Sequence, residues 1–405
     1  MYQAHVRARP GPRFALNERL LSATMMRLGA AMTSSETVPL GEDQQPLRDT
    51  LHGFLADQLP PAALRAALET KVGYSPELHA RLASELGLTG LTIPRAFGGL
   101  GMSQAEASEV HAELGRALYP GPILSTALAG GMLLASGDRA AQERWLPLLA
   151  DGAVIATVAA AGEDGQWGFG PDSVRAERAP GGWRLYGHRW FVLAAHAADV
   201  LVVPAVTEYG PAMFLADPRS LGCTVSGQLG LDLTRRVCVT AFDEAPALLI
   251  GEGEAAVAAL EQAERDFLIA TAAEAAGGLG WCLDAAIAYA RDREQFGESI
   301  GSFHAVAQAC VDILAAFQEV SATVRYAAVA AAGGSAEAPK AAHVAALRAG
   351  EAYRAVTESA THLFGGNGLN WEHDVHLYYR RAWSAERLAG GPQAHRAAIS
   401  GLGGP

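Results

Sequence analysis

The apolar residues of this 405-residue chain change their spacing twice, and that double change constrains the fold more than any other feature. From about Gln45 to Asp151 they recur at three- and four-residue steps. Leu47, Leu51, Phe54, Leu55 and Leu59 form one such face, the apolar side of an amphipathic helix. Pro60-Pro61 ends that run and residues 62–68 start another. Further stripes cover 78–86, 105–118, 124–134 and 140–149. Near Val154 short apolar stretches take over, separated by turn signals such as Pro180-Gly181-Gly182. They predict strands over 154–161, 174–178, 183–186, 190–193, 200–206, 212–216 and 237–242, a small antiparallel β domain. Helical spacing returns over 254–291, 303–332 and 339–363.

Helices, a block of strands and then long helices make a segregated α+β plan, not an alternating βαβ one. The predicted domains are an all-α unit over 45–152, a central β domain over 153–251 and a C-terminal helical bundle over 252–405. Residues 1–44 read as a flexible tail. Its first 32 residues carry Arg7, Arg9, Arg13, Arg19 and Arg27 against the single acid Glu18, a bias that also suits a transit peptide or a later start at Met32.

Half the residues are hydrophobic and 18% are charged, as in a globular protein with a substantial core. The net charge of −12 argues against a dedicated surface for nucleic acid or anionic membrane. No uninterrupted apolar run reaches the roughly 18 residues of a membrane-spanning helix. Cys223, Cys238, Cys282 and Cys310 lack paired spacing, which fits a reduced, cytoplasmic compartment better than a disulfide framework.

Three short motifs invite chemistry and fail on context. Gly297-Glu298-Ser299-Ile300-Gly301 has G-x-S-x-G spacing, but a helical stretch precedes it where a hydrolase needs a strand. Gly365-Gly366-Asn367-Gly368 follows a helix and lacks dinucleotide-fingerprint spacing, so it reads as a helix-terminating turn. His373 and His376 flank Asp374, yet no paired carboxylate-histidine helix accompanies them, and no metal site is expected.

Two longer segments carry more. One is Arg293-Glu294-Gln295-Phe296-Gly297-Glu298, running on to Phe303-His304. The other is His362-Leu363-Phe364-Gly365-Gly366-Asn367-Gly368, leading to Trp371-Glu372-His373 and Tyr379-Arg380-Arg381. With Phe97-Gly98-Gly99-Leu100-Gly101, Glu113-Leu114-Gly115-Arg116-Ala117-Leu118 and Gly187-His188-Arg189-Trp190-Phe191-Val192, they resemble the acyl-CoA dehydrogenase family of flavoenzymes. The resemblance spans nearly everything after residue 45. It is strongest to a bacterial branch in which two unlike subunits often assemble.

The resemblance implies FAD bound across a subunit interface, an acyl-CoA or other acyl thioester as substrate, and a homo- or heterotetramer. An electron-transfer flavoprotein is a further implied partner. Arg293 would hold the pyrophosphate of a neighbour's FAD, Phe296 would pack by its adenosine, and His304, His362, Gly365 and Gly366 would lie against the same cofactor. The family usually has Gln at the two histidine positions. Phe191 matches the aromatic residue over the flavin, but Leu193 replaces the following Thr. Residues 159–164 lack the family's hydroxyl-bearing side chains.

The implied chemistry removes an α proton and a β hydride from the thioester, and the proton needs a carboxylate base. The family's two base positions fall on Ala389 and Phe267, neither of which can act. Glu274 is the remaining candidate, seven residues after Phe267 and roughly 10 Å along the same helix face; a helix-packing or inter-subunit network is the other reading of that Glu. Asp266 and Glu386 point off those faces. Gly277, Gly278 and Gly280 either widen an acyl-tail site or allow close helix packing. Two functions remain open: an acyl-CoA dehydrogenase with a relocated base, or a non-catalytic partner that completes the FAD site of a catalytic sibling.

Overall fold

The computed structural model describes residues 44–170 and 174–401. The expected tail, through residue 43, and the alternative start at Met32 lie outside the described residues. Six helices come first. Helix α1 (Gln44–Gln58) stops before Pro60, and α2 (Pro61–Glu69) begins on a proline, where the first turn needs no N–H donor. Ser75 caps α3 (Pro76–Ser84), its hydroxyl accepting from the Leu78 N–H at 3.1 Å. A reciprocal Ser103–Glu106 capping box opens α4 (Gln104–Arg116). Helices α5 (Ile123–Ser136) and α6 (Arg139–Ala150) complete the unit.

Seven strands form the central sheet: β1 (Ala156–Val158), β2 (Arg175–Ala179), β3 (Gly182–Leu193), β4 (Val200–Thr207), β5 (Gly210–Ala216), β6 (Cys223–Gly227) and β7 (Val237–Glu252). They run β1-β4-β2-β3-β7-β5, with β6 on β7, and β4 also pairs β5, so the sheet curls back on itself. Most pairs are antiparallel; β1 joins β4 in parallel, as does the single Arg175–Val206 contact. Two strands expected from the sequence merge into β3, which passes through Gly187 at φ +122° with a register shift just before it. Strand β6 was not expected, because its side chains are mostly exposed and carry little apolar alternation.

Four long helices form the C-terminal bundle: α7 (Glu254–Asp292), α8 (His304–Ala332), α9 (Ala338–Phe364) and α10 (Val375–Leu388). The short α11 (Gly391–Gly401) packs on α9. A small hairpin, β8 (Glu294–Gln295) and β9 (Glu298–Ser299), joins α7 to α8. Helix α7 is the spine: its 39 residues reach roughly 58 Å and touch α4, α5, α8, α9 and the sheet.

The glycines of α7 serve that packing. A Cβ on Gly277 would run into the Ala112 carbonyl of α4, and one on Gly115 of α4 into the Glu274 backbone. At Gly278 it would strike the Tyr353 ring of α9. Close helix approach, rather than a widened acyl-tail site, is what these positions provide.

Helix α8 adds a qualification to the sequence reading. By length and composition His304–Ala332 is apolar enough to cross a membrane, which a search for uninterrupted runs misses because Asp312, Glu319 and Arg325 punctuate it. In this fold it is a bundle helix that packs Cys310, Ile313, Val320 and Val324 inward and leaves Tyr326 and Val329 more than half exposed.

Candidate functional site

The first constellation lies where the sheet meets α7. Pairing between β3 and β7 jumps from Arg189–Thr240 to Val192–Cys238, so Trp190 and Phe191 together oppose one residue. Within that bulge Phe191 takes φ +52° and stays 36% exposed. It borders a cavity of about 20 Å³ lined also by Ser125, Thr157, Trp167, Phe267 and Leu388. Such a volume suits a water or so and no more. It is small because Trp167 lies flat on Phe267, with centroids 5.2 Å apart and planes 17° from parallel.

Several of the polar groups there are bonded within the chain. The Thr157 hydroxyl donates to the Leu193 carbonyl at 2.6 Å. The fully buried Arg189 donates to the Ala160 and Pro204 carbonyls at 2.8 and 2.6 Å, with Gly168 O at 3.5 Å, tying both flanks of the Trp167 loop to the sheet. Burial without a carboxylate lowers its guanidinium to about 10. Leu388 and Ala389 end α10 beside this cavity and bring no acid to it.

Two turns along α7, Glu274 is sealed inside an ion network. Its carboxylate accepts from Arg235 and, at 3.3 Å, from Arg381. Arg381 contacts Asp232 at 2.7 Å and donates to the Thr234 hydroxyl at 2.6 Å, pinning α10 to the loop before β7. Burial alone would raise the Glu274 carboxyl, but Arg235, Arg381 and His111 hold it below its usual value. A carboxylate clamped by two guanidiniums is a poor proton acceptor.

The second constellation gathers at the far end of the bundle. Helix α7 ends at Arg293, whose side chain is exposed and makes no hydrogen bond or ion pair among the described residues. The hairpin that follows turns on Phe296 and Gly297 at φ +58° and +86°, positive at both central positions as a type I′ turn requires. Glycine or asparagine suits the first of these; here it is a phenylalanine, 94% exposed. His304 opens α8 and His362 sits in the last turn of α9, both exposed. Tyr289 of α7 packs edge-on to Phe364, bringing the Gly365–Leu369 turn alongside. A Cβ on Gly365 or Gly366 would meet nothing in this chain, so the backbone there is open to approach.

The short motifs resolve as structure. The Ser299 hydroxyl donates to the Ala290 carbonyl at 2.7 Å and has no base beside it. His373 accepts from the Val375 N–H, His376 contacts the Trp371 carbonyl, and no metal-binding cluster occurs among the described residues.

Residues 41–153 match the profile "Acyl-CoA dehydrogenase, N-terminal domain" and residues 263–401 match "Acyl-CoA dehydrogenase, C-terminal domain". The acyl-CoA dehydrogenase IpdE2 of Mycolicibacterium smegmatis is 32% identical over 359 residues, covering 87% of this chain and 96% of the relative. This chain belongs to the acyl-CoA dehydrogenase family. Among solved structures, the ChsE4-ChsE5 complex of Mycobacterium tuberculosis superposes with a TM-score of 0.82 at 28% identity, covering 91% of this chain and 99% of that one. A variant of the Tcur3481-Tcur3483 steroid ACAD gives 0.80 at 28% identity, covering 90% and 98%. The α+β architecture expected from the sequence is that of this flavoprotein family.

FAD is the family's cofactor, and the two constellations fit it differently. The bundle end offers an unengaged guanidinium, an exposed aromatic ring and bare glycine backbone, the chemistry a dinucleotide needs. The cavity under Phe191, at about 20 Å³, offers no room for a flavin ring. Phe267 and Arg293 stand on one helix, 26 residues and roughly 40 Å apart, so this chain's Arg293 cannot serve its own sheet-side cavity. The sequence singled out Phe191 and Phe267, carried Arg189 and Arg381 only as motif residues without a role, and gave no sign of Trp167 or Arg235. Trp167 follows no apolar period, and long-range ion pairs leave no local pattern.

Proposed function

We propose that this chain is the non-catalytic half of a heteromeric acyl-CoA dehydrogenase. Its bundle end completes the FAD site of a catalytic sibling, and the assembly performs α,β-dehydrogenation of an acyl thioester. The observation that carries this reading is the contrast along α7: an apolar Trp167–Phe267 stack a third of the way along it, an unengaged Arg293 at its C-terminal end.

In that role Arg293 holds pyrophosphate oxygens through its planar fork. Phe296 stacks beside the adenosine, His304 and His362 supply hydrogen bonds, and Gly365-Gly366 lets the cofactor lie against backbone. FAD supplies the hydride acceptor. The α-proton base comes from the sibling, because Ala389 and Phe267 carry no carboxylate and Glu274 is held by two arginines. The exposed face of α8, with Tyr326 and Val329, is apolar surface for subunit contact. The likeness to a steroid ACAD favours a bulky, ring-bearing acyl group as the assembly's substrate.

The test is purification of the chain alone and with its sibling. The lone chain should lack flavin absorbance and leave acyl-CoA unchanged, whereas the pair should be yellow and bleach anaerobically with substrate. Arg293→Ala in this chain should strip flavin from the pair. Bleaching by the lone chain would overturn the reading.

A further inference from the structure

A basin of about 190 Å³ opens on the outer side of the Glu274 ion network, between α2, the loop joining β6 to β7, and the segment leading into α10. Its apolar walls are unusually exposed: Leu229 is fully open, Leu233 is 36% exposed and Trp371 is 53% exposed. Leaving such surface in water costs on the order of 25 cal/mol per Å².

Its polar lining is cationic in a chain whose net charge is −12. Arg235 borders the basin with only 10% of its side chain exposed; one terminal nitrogen is spent on Glu274, and the other, Nη1, is buried with no hydrogen-bond partner. Arg236 uses one terminal nitrogen to cap the Leu68 and Thr70 carbonyls at 3.2 and 3.0 Å, leaving its other N–H groups free. A buried guanidinium without a full set of acceptors adds uncompensated positive charge beside the basin, which draws a ligand anion to its mouth. Glu69 and Asp232 also border the basin, which disfavours a dianion such as phosphate and leaves a singly charged carboxylate as the matching head.

We infer that this basin binds an amphiphilic monocarboxylate, its head on Arg235 and Arg236 and its apolar body against Leu229, Leu233 and Trp371. The site is separate from the proposed FAD contact and stands on different residues.

The test is calorimetric titration of the full-length chain with octanoate, octan-1-ol and acetate, with tryptophan quenching by bromooctanoate. Octanoate should bind at least about tenfold more tightly than either control, which lacks the charge or the tail. Arg236→Gln should weaken octanoate about tenfold and leave octanol unchanged. Leu229→Asp, at a fully exposed position that does not endanger folding, should abolish octanoate binding. Quenching should disappear in Trp371→Phe. Equal binding of octanoate and octanol, indifference to both Arg236→Gln and Leu229→Asp, or quenching that persists without Trp371 would overturn the proposal.

Discussion

Trp167 covers Phe267 face to face, at 5.2 Å and 17°, and fills the cavity that Phe191 borders. Trp167 is half-buried against the core, so Trp167→Ala should remove this contact and cost about 1–3 kcal/mol, less than truncating a fully buried aromatic. Urea unfolding measures it. A loss below about 1 kcal/mol would mean that the stack is not a packed element of the core.

Glu274→Gln separates a network role from a catalytic one. It leaves Arg235 and Arg381 buried beside a neutral amide, and breaking a buried pair in this way costs about 3–5 kcal/mol. The expected result is a lower unfolding midpoint with the pair's turnover per folded molecule unchanged. A selective fall in kcat without loss of stability would return Glu274 to the role of base.

Phe296 should behave oppositely in the two assays. A non-glycine residue at φ +58° stores about 1–3 kcal/mol. Phe296→Asn should stabilise the isolated chain by about 1 kcal/mol and weaken FAD retention in the pair. Equilibrium unfolding and flavin release by dialysis give the two readouts, and a change of the same sign in both would contradict a functional use of the strain.

The crossing of α4 and α7 makes a steric prediction. Gly277→Ala should force the helices apart at Ala112 and destabilise the chain by more than the few tenths to 1 kcal/mol by which alanine usually improves a helix. Thermal denaturation checks the sign; a stabilised variant would show that the contact yields easily.

Glu264 sets a pH dependence. Burial, with Glu261 alongside, lifts its carboxyl from 4.5 to about 7. The folded chain therefore binds that proton more tightly than the unfolded one, so stability is complete below about 4.5 and declines as pH rises through about 7. At about 1.4 kcal/mol per pH unit, the loss is about 3–4 kcal/mol. Glu264→Gln should raise the urea midpoint at about pH 8 and leave it unchanged near pH 4; equal effects at both would reject this assignment.

The long helices were legible because their apolar stripes repeat over many turns: the expected 254–291 stands as Glu254–Asp292 and 339–363 as Ala338–Phe364. Strand β6 was not, since it lies on the sheet's surface with little to alternate. Strand β7 extends ten residues past the expected end at Phe242, carried by pairing with β3 and β5 rather than by its own pattern. In the site, Arg293 and Phe296 stood out as motif residues, whereas Trp167 acquires its place only when a loop folds over α7. Nor could sequence choose between the two readings of Gly277, because the choice depends on a carbonyl more than 160 positions away.

The length of α7 has a stoichiometric consequence. Under the role proposed above, with its two sites roughly 40 Å apart along one helix, no copy of this chain would enclose a whole pigment by itself, and self-association would pair a willing end with a filled one. A complex of equal numbers of this chain and its sibling would thus hold one flavin for every two polypeptides, a ratio that absorbance and amino-acid analysis of a single purified sample can count.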